Sequence, residues 1–253
     1  MHSLSQWKRS IKKKFLLLHE GKGKHLFILH KYFNLKDYNH LTNKLFCLGF
    51  NFINFKQIEV KNEEEPISQI KQFPNNIKNI VFNGFFQAYD YFYSAIDEVS
   101  SNFKIKEKYI NEFNNKYANI LLHNKIVVVH IRLTSYLAHG YNLPFSYYKR
   151  CLNSITNIKE YKVLFISDDI NTVKKEFNAK NFYFESNSLI IDFQLLMNAD
   201  MAIISNSTFS WWGVFLNKKD NLLVYAPKYW LGYTNKKEYP NGIMCNKWKW
   251  INV

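Results

Sequence analysis

A short polar segment between two apolar runs is the stretch of this sequence best suited to bind an anion. Residues 201–204 have the pattern of a buried strand, residues 205–208 supply three hydroxyl groups and an amide, and a second apolar run begins at Phe209. Ser, Thr and Asn often cap helices because their side-chain oxygens accept hydrogen bonds from free N–H groups. The pattern predicts a strand, a tight turn and a helix whose first N–H groups face an anion. The alternative is an ordinary capped helix, with Trp211 and Trp212 as packing residues.

Two further polar clusters follow apolar runs in the same half of the chain. His130 and Arg132 end one run, and Asp168 and Asp169 follow the next. An arginine at a strand end can bind a phosphate group through two parallel hydrogen bonds. A carboxylate can accept hydrogen bonds from ribose hydroxyls or from a base edge. The ordinary alternatives are a hydrogen-bonded core histidine, a surface arginine and a pair of aspartates that only cap the next helix.

The segments that must position these clusters alternate between predicted strands and predicted helices. The strands are residues 126–129, 161–167, 182–184, 201–205 and 222–226, and the helices are residues 145–157, 168–177, 189–198 and 208–217. Such alternation is typical of an α/β fold with a parallel, doubly wound sheet. Ligands of such sheets bind outside the carboxyl ends of the strands, where all three polar clusters fall. The three clusters together therefore suggest a nucleotide site.

Residues 1–100 are harder to interpret. Residues 24–30, 50–55 and 80–82 have the composition of strands, and residues 104–122 have the spacing of an amphipathic helix. The apolar face of that helix would hold Ile105, Tyr109, Ile110, Phe113, Tyr117 and Ile120. We expect a smaller α/β lobe over residues 1–115 and the doubly wound domain over residues 116–253.

The chain carries 34 Lys and Arg against 20 Asp and Glu, a formal net charge of +14. Such a surplus suggests an anionic partner, such as a nucleic acid, a membrane surface or a phosphorylated substrate. Nucleic-acid-binding proteins usually cluster their basic residues beside exposed aromatic residues, whereas here the basic residues are scattered. A basic nucleic-acid-binding protein is therefore the least favoured interpretation.

The cysteines and the apolar runs indicate a cytoplasmic protein. Cys47, Cys151 and Cys245 are widely spaced, so neither a disulfide framework nor a metal cluster is predicted. The apolar runs are far shorter than the roughly 18 residues of a membrane span. Residues 5–19 are basic and then briefly apolar, so peripheral contact with the cytoplasmic face of the inner membrane is a further expectation.

Several short motifs resemble the α-1,2-fucosyltransferases of glycosyltransferase family 11. The most specific is NSTFSWWGVFLN at residues 206–217. HIRLTSY at residues 130–136 resembles the family's His-x-Arg-Arg-x-Asp-Tyr segment, and FISDDI at residues 165–170 resembles its Phe-Ser-Asp-Asp segment. Three shorter stretches fit the same order, at residues 83–87, 226–230 and 249–251. The resemblance covers residues 81–253.

The resemblance implies a glycosyltransferase with a two-lobed, GT-B-like fold. Such an enzyme transfers L-fucose from GDP-β-L-fucose to a glycan hydroxyl, with inversion and without a metal or other cofactor. The expected acceptor is O2 of a galactoside in a surface polysaccharide or lipopolysaccharide. Residues 1–115 would form the acceptor-side lobe, and residues 116–253 would bind the nucleotide sugar.

The resemblance also assigns roles to residues. Arg132 would hold the GDP phosphates and His130 would line the donor site; these two are the expected catalytic residues, with no base identified. Asp168 and Asp169 would lie near the nucleoside. The pyrophosphate pocket would be formed by Asn206, Ser207, Thr208, Phe209 and Ser210. Cationic groups and N–H donors would stabilise the charge that develops on the departing GDP.

Three departures from the family pattern suggest an alternative function. Leu133 stands where the family has its second arginine, and Ser135 stands where it has an aspartate. The family's N-terminal Gly-Gly-Leu-Gly-Asn-Gln loop is also not found, and residues 21–24 read only Gly-Lys-Gly-Lys. A truncated or divergent N-terminal lobe and a divergent donor are two explanations of these departures. The third, and the alternative function, is a relative that binds a GDP-sugar but is catalytically impaired or inactive.

Overall fold

The computed structural model describes residues 31–34, 56–59, 80–83, 87–92 and 95–253. The predicted strands at residues 24–30 and 50–55, and the glycines at residues 21–24, lie outside the described residues. The chain divides into two compact units, one of residues 1–86 with 90–106 and the other of residues 87–89 with 107–253.

The first unit contains two strand pairs in its described part. Strand β1 (Phe33–Asn34) pairs antiparallel with β4 (Lys104–Ile105), and β2 (Lys56–Glu59) pairs parallel with β3 (Ile80–Asn83). Helix α1 (Tyr89–Phe92) begins in the second unit, and α2 (Ile96–Asn102) follows in the first. The strand predicted at residues 80–82 is confirmed. The assignment of residues 1–115 to an acceptor lobe and of residues 116–253 to a donor lobe stays a prediction.

The second unit is built on a six-stranded sheet. Its strands are β5 (Lys125–Ile131), β6 (Tyr161–Ser167), β7 (Phe182–Glu185), β8 (Met201–Ile203), β9 (Leu223–Pro227) and β10 (Lys249–Ile251). Its remaining helices are α3 (Glu107–His123), α4 (Thr134–Leu137), α5 (Phe145–Asn153), α6 (Ile170–Glu176), α7 (Leu189–Asn198) and α8 (Thr208–Phe215).

All strands of the large sheet pair in parallel, in the order β10-β9-β8-β5-β6-β7. Counted from β5, this is the order 3-2-1-4-5-6 of doubly wound nucleotide-binding sheets. The centre is apolar because β5 is buried from Ile126 to Ile131, as expected for a parallel strand covered on both faces. The predicted α/β fold class with a doubly wound parallel sheet is confirmed.

Several predicted boundaries differ from the structure by two residues or more, and the largest differences are at the ends of two helices. Helix α3 begins at Glu107 rather than residue 104, because residues 104–105 pair with β1. The prediction that Ile110 lies on the buried face is wrong: this side chain is 39% exposed, while Phe113 and Tyr117 are buried. Helix α5 ends at Asn153 rather than residue 157, since the chain turns into a 3₁₀ helix at Ile158–Glu160.

Helix α6 begins at Ile170 rather than residue 168, with Asp169 as its N-cap, and strand β8 ends at Ile203 rather than residue 205. Strand β10 was not predicted, because three residues are too short for a periodic signal.

Within the part of the chain that the structure describes, no helix combines the length and the apolar composition needed to cross a bilayer.

Helices α7 and α8 pack closely where Gly213 faces Leu196. A Cβ atom added at Gly213 would lie 2.7 Å from Leu196 Cβ and 2.9 Å from its Cδ1. Leu196 is fully buried, so it has little room to move aside. Gly213 therefore sets how closely α8, which begins at the predicted anion-binding turn, approaches its neighbour.

We expect Gly213→Ala to destabilise the protein. The gain in helix propensity is about 1 kcal/mol, whereas forcing an extra methyl group into a packed core costs about 1–3 kcal/mol. Urea unfolding should give a lower free energy of unfolding for this variant. Ser146→Ala, at an exposed position of α5, is the control and should change stability by less than about 0.5 kcal/mol. Equal or higher stability of Gly213→Ala would contradict the close packing.

Candidate functional site

The predicted site residues meet where β5 and β8 lie side by side. Val129 of β5 is paired with Ile203 of β8, so His130, near the end of β5, and Ser205, two residues after β8, lie at neighbouring strand ends. Ser205 Oγ lies 3.0 Å from His130 Nδ1. This is the point at which the strand order reverses, where doubly wound sheets bind their ligands.

His130 is a buried, neutral histidine. Its side chain is 5% exposed, and its ring centroid is 5.3 Å from that of Phe209. Burial, and to a smaller extent the Arg132 cation, lowers its pKa to about 3, although the Asp168 carboxylate opposes the shift. At neutral pH the imidazole can form hydrogen bonds, but it is a poor proton acceptor.

Asp168 holds Arg132 in place. Its Oδ2 lies 3.2 Å from Arg132 Nη1, and its carboxylate accepts hydrogen bonds from the Leu133 and Thr134 N–H groups at 2.8 and 3.1 Å and from the Thr134 hydroxyl. Burial raises the Asp168 pKa, but the hydrogen bonds and the guanidinium outweigh burial and keep it below its ordinary value. The aspartate thus fixes both the arginine and the start of α4.

Arg132 can still reach a ligand. Its side chain is 36% exposed, and its guanidinium lies 5.8 Å from the centroid of the Tyr136 ring. Tyr136 in turn donates a hydrogen bond to the Asn206 carbonyl at 3.3 Å. The loop after β5 and the turn after β8 are therefore joined, with a cation at the junction.

The turn before α8 has the predicted N-cap position but not the predicted capping bond. Ser207 is the N-cap residue in extended conformation, and its side chain makes no capping hydrogen bond. Thr208 Oγ1 donates to Gln87 Oε1 at 3.2 Å. Ser210 is fully buried, and its hydroxyl donates to the carbonyls of Ser205 and Ser207. The first N–H groups of α8 thus remain without a side-chain cap from Ser207.

Asn206 is a deeply buried polar residue of this turn, with 1% of its surface exposed. Its Nδ2 donates to the Tyr141 carbonyl at 2.9 Å. Its Oδ1 is buried and has no hydrogen-bond partner among the described residues. A buried acceptor of this kind needs a donor from a ligand or from water.

The structure brings most predicted site residues together, but not all in the expected orientation. His130, Arg132 and Asp168 contact one another or the turn at residues 206–210. Asp169 points instead into α6, where its carboxylate accepts from the N–H and the hydroxyl of Thr172 at 3.1 and 2.6 Å. A contact of Asp169 with a nucleoside stays a prediction.

Three residues at this site were not singled out from the sequence. Ser205 lies two residues after β8, Tyr136 is the last residue of the HIRLTSY motif, and Gln87 lies 121 residues before its partner Thr208. Ser205 belongs to the polar turn of residues 205–208, which is the signal that could have identified it. Gln87 falls in the stretch at residues 83–87, but no spacing rule links it to α8, so only the folded chain shows its contact with Thr208.

A second polar cluster lies at the carboxyl end of β7. Tyr117 Oη donates to Glu185 Oε2 at 2.6 Å, and Asn187 Nδ2 donates to Asp192 Oδ1 at 2.9 Å. Burial raises the pKa of Asp192 to about 6. The sequence analysis did not single out this cluster; the aspartate within the apolar run of α7 is the signal that could have identified it. Among the described residues, no three His, Cys, Asp or Glu side chains form a group that could hold a metal ion.

We expect the raised pKa of Asp192 to make stability depend on pH. The shift from 3.8 to about 6 disfavours the ionised form by up to about 3 kcal/mol. Because the folded state holds this proton more tightly, the free energy of unfolding should fall as the pH rises from about 4 to about 6. Asp192→Asn removes this titration, so urea unfolding should show the variant gaining stability relative to wild type over that range.

Asp220→Asn, at an exposed position, is the control for the loss of one negative charge. A constant difference between Asp192→Asn and wild type at all pH values would contradict the raised pKa.

Comparison with known proteins gives one family. The sequence profile of glycosyl transferase family 11 matches residues 28–252. The O-antigen biosynthesis glycosyltransferase WbnK of Escherichia coli is 30% identical over 216 residues, 77% of this chain and 69% of WbnK. The α-1,2-colitosyltransferase of Escherichia coli is 28% identical over 236 residues, 84% of this chain and 78% of that protein.

Among solved structures, the fucosyltransferase NodZ from Bradyrhizobium is 14% identical, with a TM-score of 0.40 over 65% of this chain and 68% of NodZ. The family assignment rests on the sequence matches, which span the candidate site and most of the chain. The chain belongs to glycosyltransferase family 11.

Proposed function

We propose that this protein transfers L-fucose from GDP-β-L-fucose to a hydroxyl of a surface glycan, with inversion and without a metal ion. The expected acceptor is O2 of a galactoside. The observation that carries the proposal is the meeting of His130, Arg132 and the start of α8 at the point where the strand order reverses. A nucleoside diphosphate is the kind of ligand that such a site suits.

The leaving group explains why a cation and helix N–H groups are needed. The acceptor oxygen would form a bond to the anomeric carbon while the bond from that carbon to the β-phosphate oxygen breaks. The electron pair leaves with GDP, and the acceptor proton passes to a base. Arg132, held by Asp168 at 3.2 Å, would stabilise the growing negative charge on the diphosphate together with the first N–H groups of α8.

His130 acts in this proposal through hydrogen bonding rather than proton transfer. With a pKa near 3, it is too weak a base to take the acceptor proton at neutral pH. Its contacts with Ser205 and Phe209 support a role in shaping the donor pocket. The open acceptor of Asn206 could receive a hydrogen bond from a sugar or ribose hydroxyl, which would relieve a cost of about 1–3 kcal/mol.

The names of the two relatives from Escherichia coli bear on the choice of acceptor glycan and of donor sugar. WbnK is named for O-antigen biosynthesis, which supports a surface glycan as the acceptor. The second relative is named for the transfer of colitose, so a colitosyl donor is the second donor to assay. Action in the cytoplasm, with peripheral contact at the inner membrane, is part of the proposal.

One observation supports the alternative of a GDP-sugar-binding protein with impaired turnover. Leu133, at the position of the family's second arginine, is 4% exposed and belongs to the apolar core. It therefore supplies no charge to a leaving group. A single oriented arginine could be enough to bind GDP but too little for fast transfer.

We expect Arg132→Ala to weaken GDP binding by about 2–4 kcal/mol, or roughly 30- to 1,000-fold, if Arg132 holds the phosphates. Isothermal titration calorimetry with GDP measures this loss. Arg150→Ala is the matched control, because Arg150 is an exposed residue of α5 that donates to the Asn252 carbonyl at 2.7 Å. An unchanged dissociation constant for Arg132→Ala would remove this residue from the site.

A transfer assay separates the proposal from its alternative. The protein is mixed with GDP-fucose and a β-galactoside, and both GDP release and the α-linked product are measured. Product supports the transferase. GDP binding without product supports the impaired relative, and a folded protein that neither binds GDP nor forms product contradicts both.

A further inference from the structure

Gln87 is a buried glutamine whose amide oxygen has a hydrogen-bond partner and whose amide nitrogen has none among the described residues. Its side chain is 5% exposed, and its Oε1 accepts the hydroxyl hydrogen bond of Thr208 at 3.2 Å. Its Nε2 is buried and meets no acceptor in the described part of the chain. Because both atoms belong to one small planar group, the unused donor lies beside the first residue of α8.

The segment that carries Gln87 is held firmly along α8. Ala88 is fully buried and Tyr89 is 8% exposed. The Tyr89 ring packs edge-on against Phe215 with 5.4 Å between centroids, so the segment contacts both the first and the last residue of the helix. The Nε2 position is therefore determined by packing rather than by a freely rotating side chain.

An unused buried donor is unfavourable in a folded protein. Leaving such a group without a partner costs about 1–3 kcal/mol, and native structures contain few such groups. A second buried polar atom without a hydrogen-bond partner among the described residues is Asn206 Oδ1, in the turn just before α8. The Gln87 Nε2 donor and the Asn206 Oδ1 acceptor therefore both lack a partner among the described residues near the start of α8. The N-cap residue of this helix, Ser207, makes no side-chain capping hydrogen bond.

We propose that Gln87 Nε2 donates a hydrogen bond to a non-bridging phosphate oxygen of a nucleoside diphosphate bound at the start of α8. This inference rests on the proposed function. The helix N–H groups and dipole attract the anion, and the Gln87 amide adds a directed donor from a segment far away in the sequence. A phosphate oxygen has several acceptor positions, so it can receive this bond together with those of the helix and Arg132.

The experiment compares two variants of Gln87 by calorimetry with GDP and by thermal unfolding without ligand. Gln87→Glu places a carboxylate beside the phosphates and should weaken GDP binding at least 10-fold. Gln87→Met keeps the side-chain volume, removes the donor, and should weaken GDP binding roughly 3- to 10-fold. Gln87→Met removes the unused donor and also the acceptor of the Thr208 hydroxyl, but the Thr208 side chain is exposed and can bond to water instead. The melting temperature should therefore be unchanged or higher.

Gln194→Met is the matched control. Gln194 is equally buried, at 4% exposed, but its Nε2 donates to the carbonyls of Tyr109 and Ile190 at 3.0 and 3.3 Å. Its substitution should lower the melting temperature and leave GDP affinity unchanged. We therefore expect substitution of Gln87 to reduce GDP affinity without lowering the melting temperature, and substitution of Gln194 to lower the melting temperature without reducing GDP affinity.

The outcomes separate this inference from the proposed function. If wild type binds GDP and both Gln87 variants bind it with the same dissociation constant, the inference is wrong and the proposed function stands. If folded wild-type protein does not bind GDP, the result contradicts both this inference and the proposed function. If Gln87→Met lowers the melting temperature as Gln194→Met does and leaves GDP affinity unchanged, Gln87 has only a structural role.

Discussion

The parallel pairing of β5 with β8 at the centre of the sheet is the constraint on which the candidate site depends. The chain runs outward from β5 through β6 and β7, then returns to place β8 on the other side of β5. The connections after β5 and β8 therefore lead to opposite sides of the sheet, and ligands of doubly wound sheets bind at such a point. This pairing brings His130 within 3.0 Å of Ser205, although 75 residues separate them in the chain.

Electrostatics at this crevice follow from burial and from one ion pair. Asp168 holds the Arg132 guanidinium at 3.2 Å and also binds the first N–H groups of α4, so the cation and the loop are positioned by the same carboxylate. His130 stays neutral because it is buried beside that cation. The site thus combines an oriented, partly exposed positive charge with neutral hydrogen-bonding groups, an arrangement that attracts an anion and leaves the histidine as a donor or acceptor only.

Stability and ligand binding place different demands on the residues around α8. Leu133 fills the core with no polar cost, and Gly213 lets α7 and α8 approach closely. Gln87 and Asn206 do the opposite, since each leaves a buried polar atom unused. An apolar side chain at either position would avoid that cost. The retention of two polar groups beside one helix start is more easily explained by a ligand than by packing.

The sequence by itself determined the order of strands and helices from β5 to β9, apart from the four-residue helix α4, because long apolar runs with period-specific spacing need no distant partner to be recognised. It also determined that polar clusters follow β5, β6 and β8, since these residues are adjacent to the runs they end. Only the tertiary structure decided how the clusters are used: Asp168 turns toward Arg132, Asp169 caps α6, and Ser210 bonds within its own turn. The same applies to Gln87, whose contact with Thr208 spans 121 residues. Such contacts depend on how separate elements pack, and local propensity carries no information about packing between distant elements.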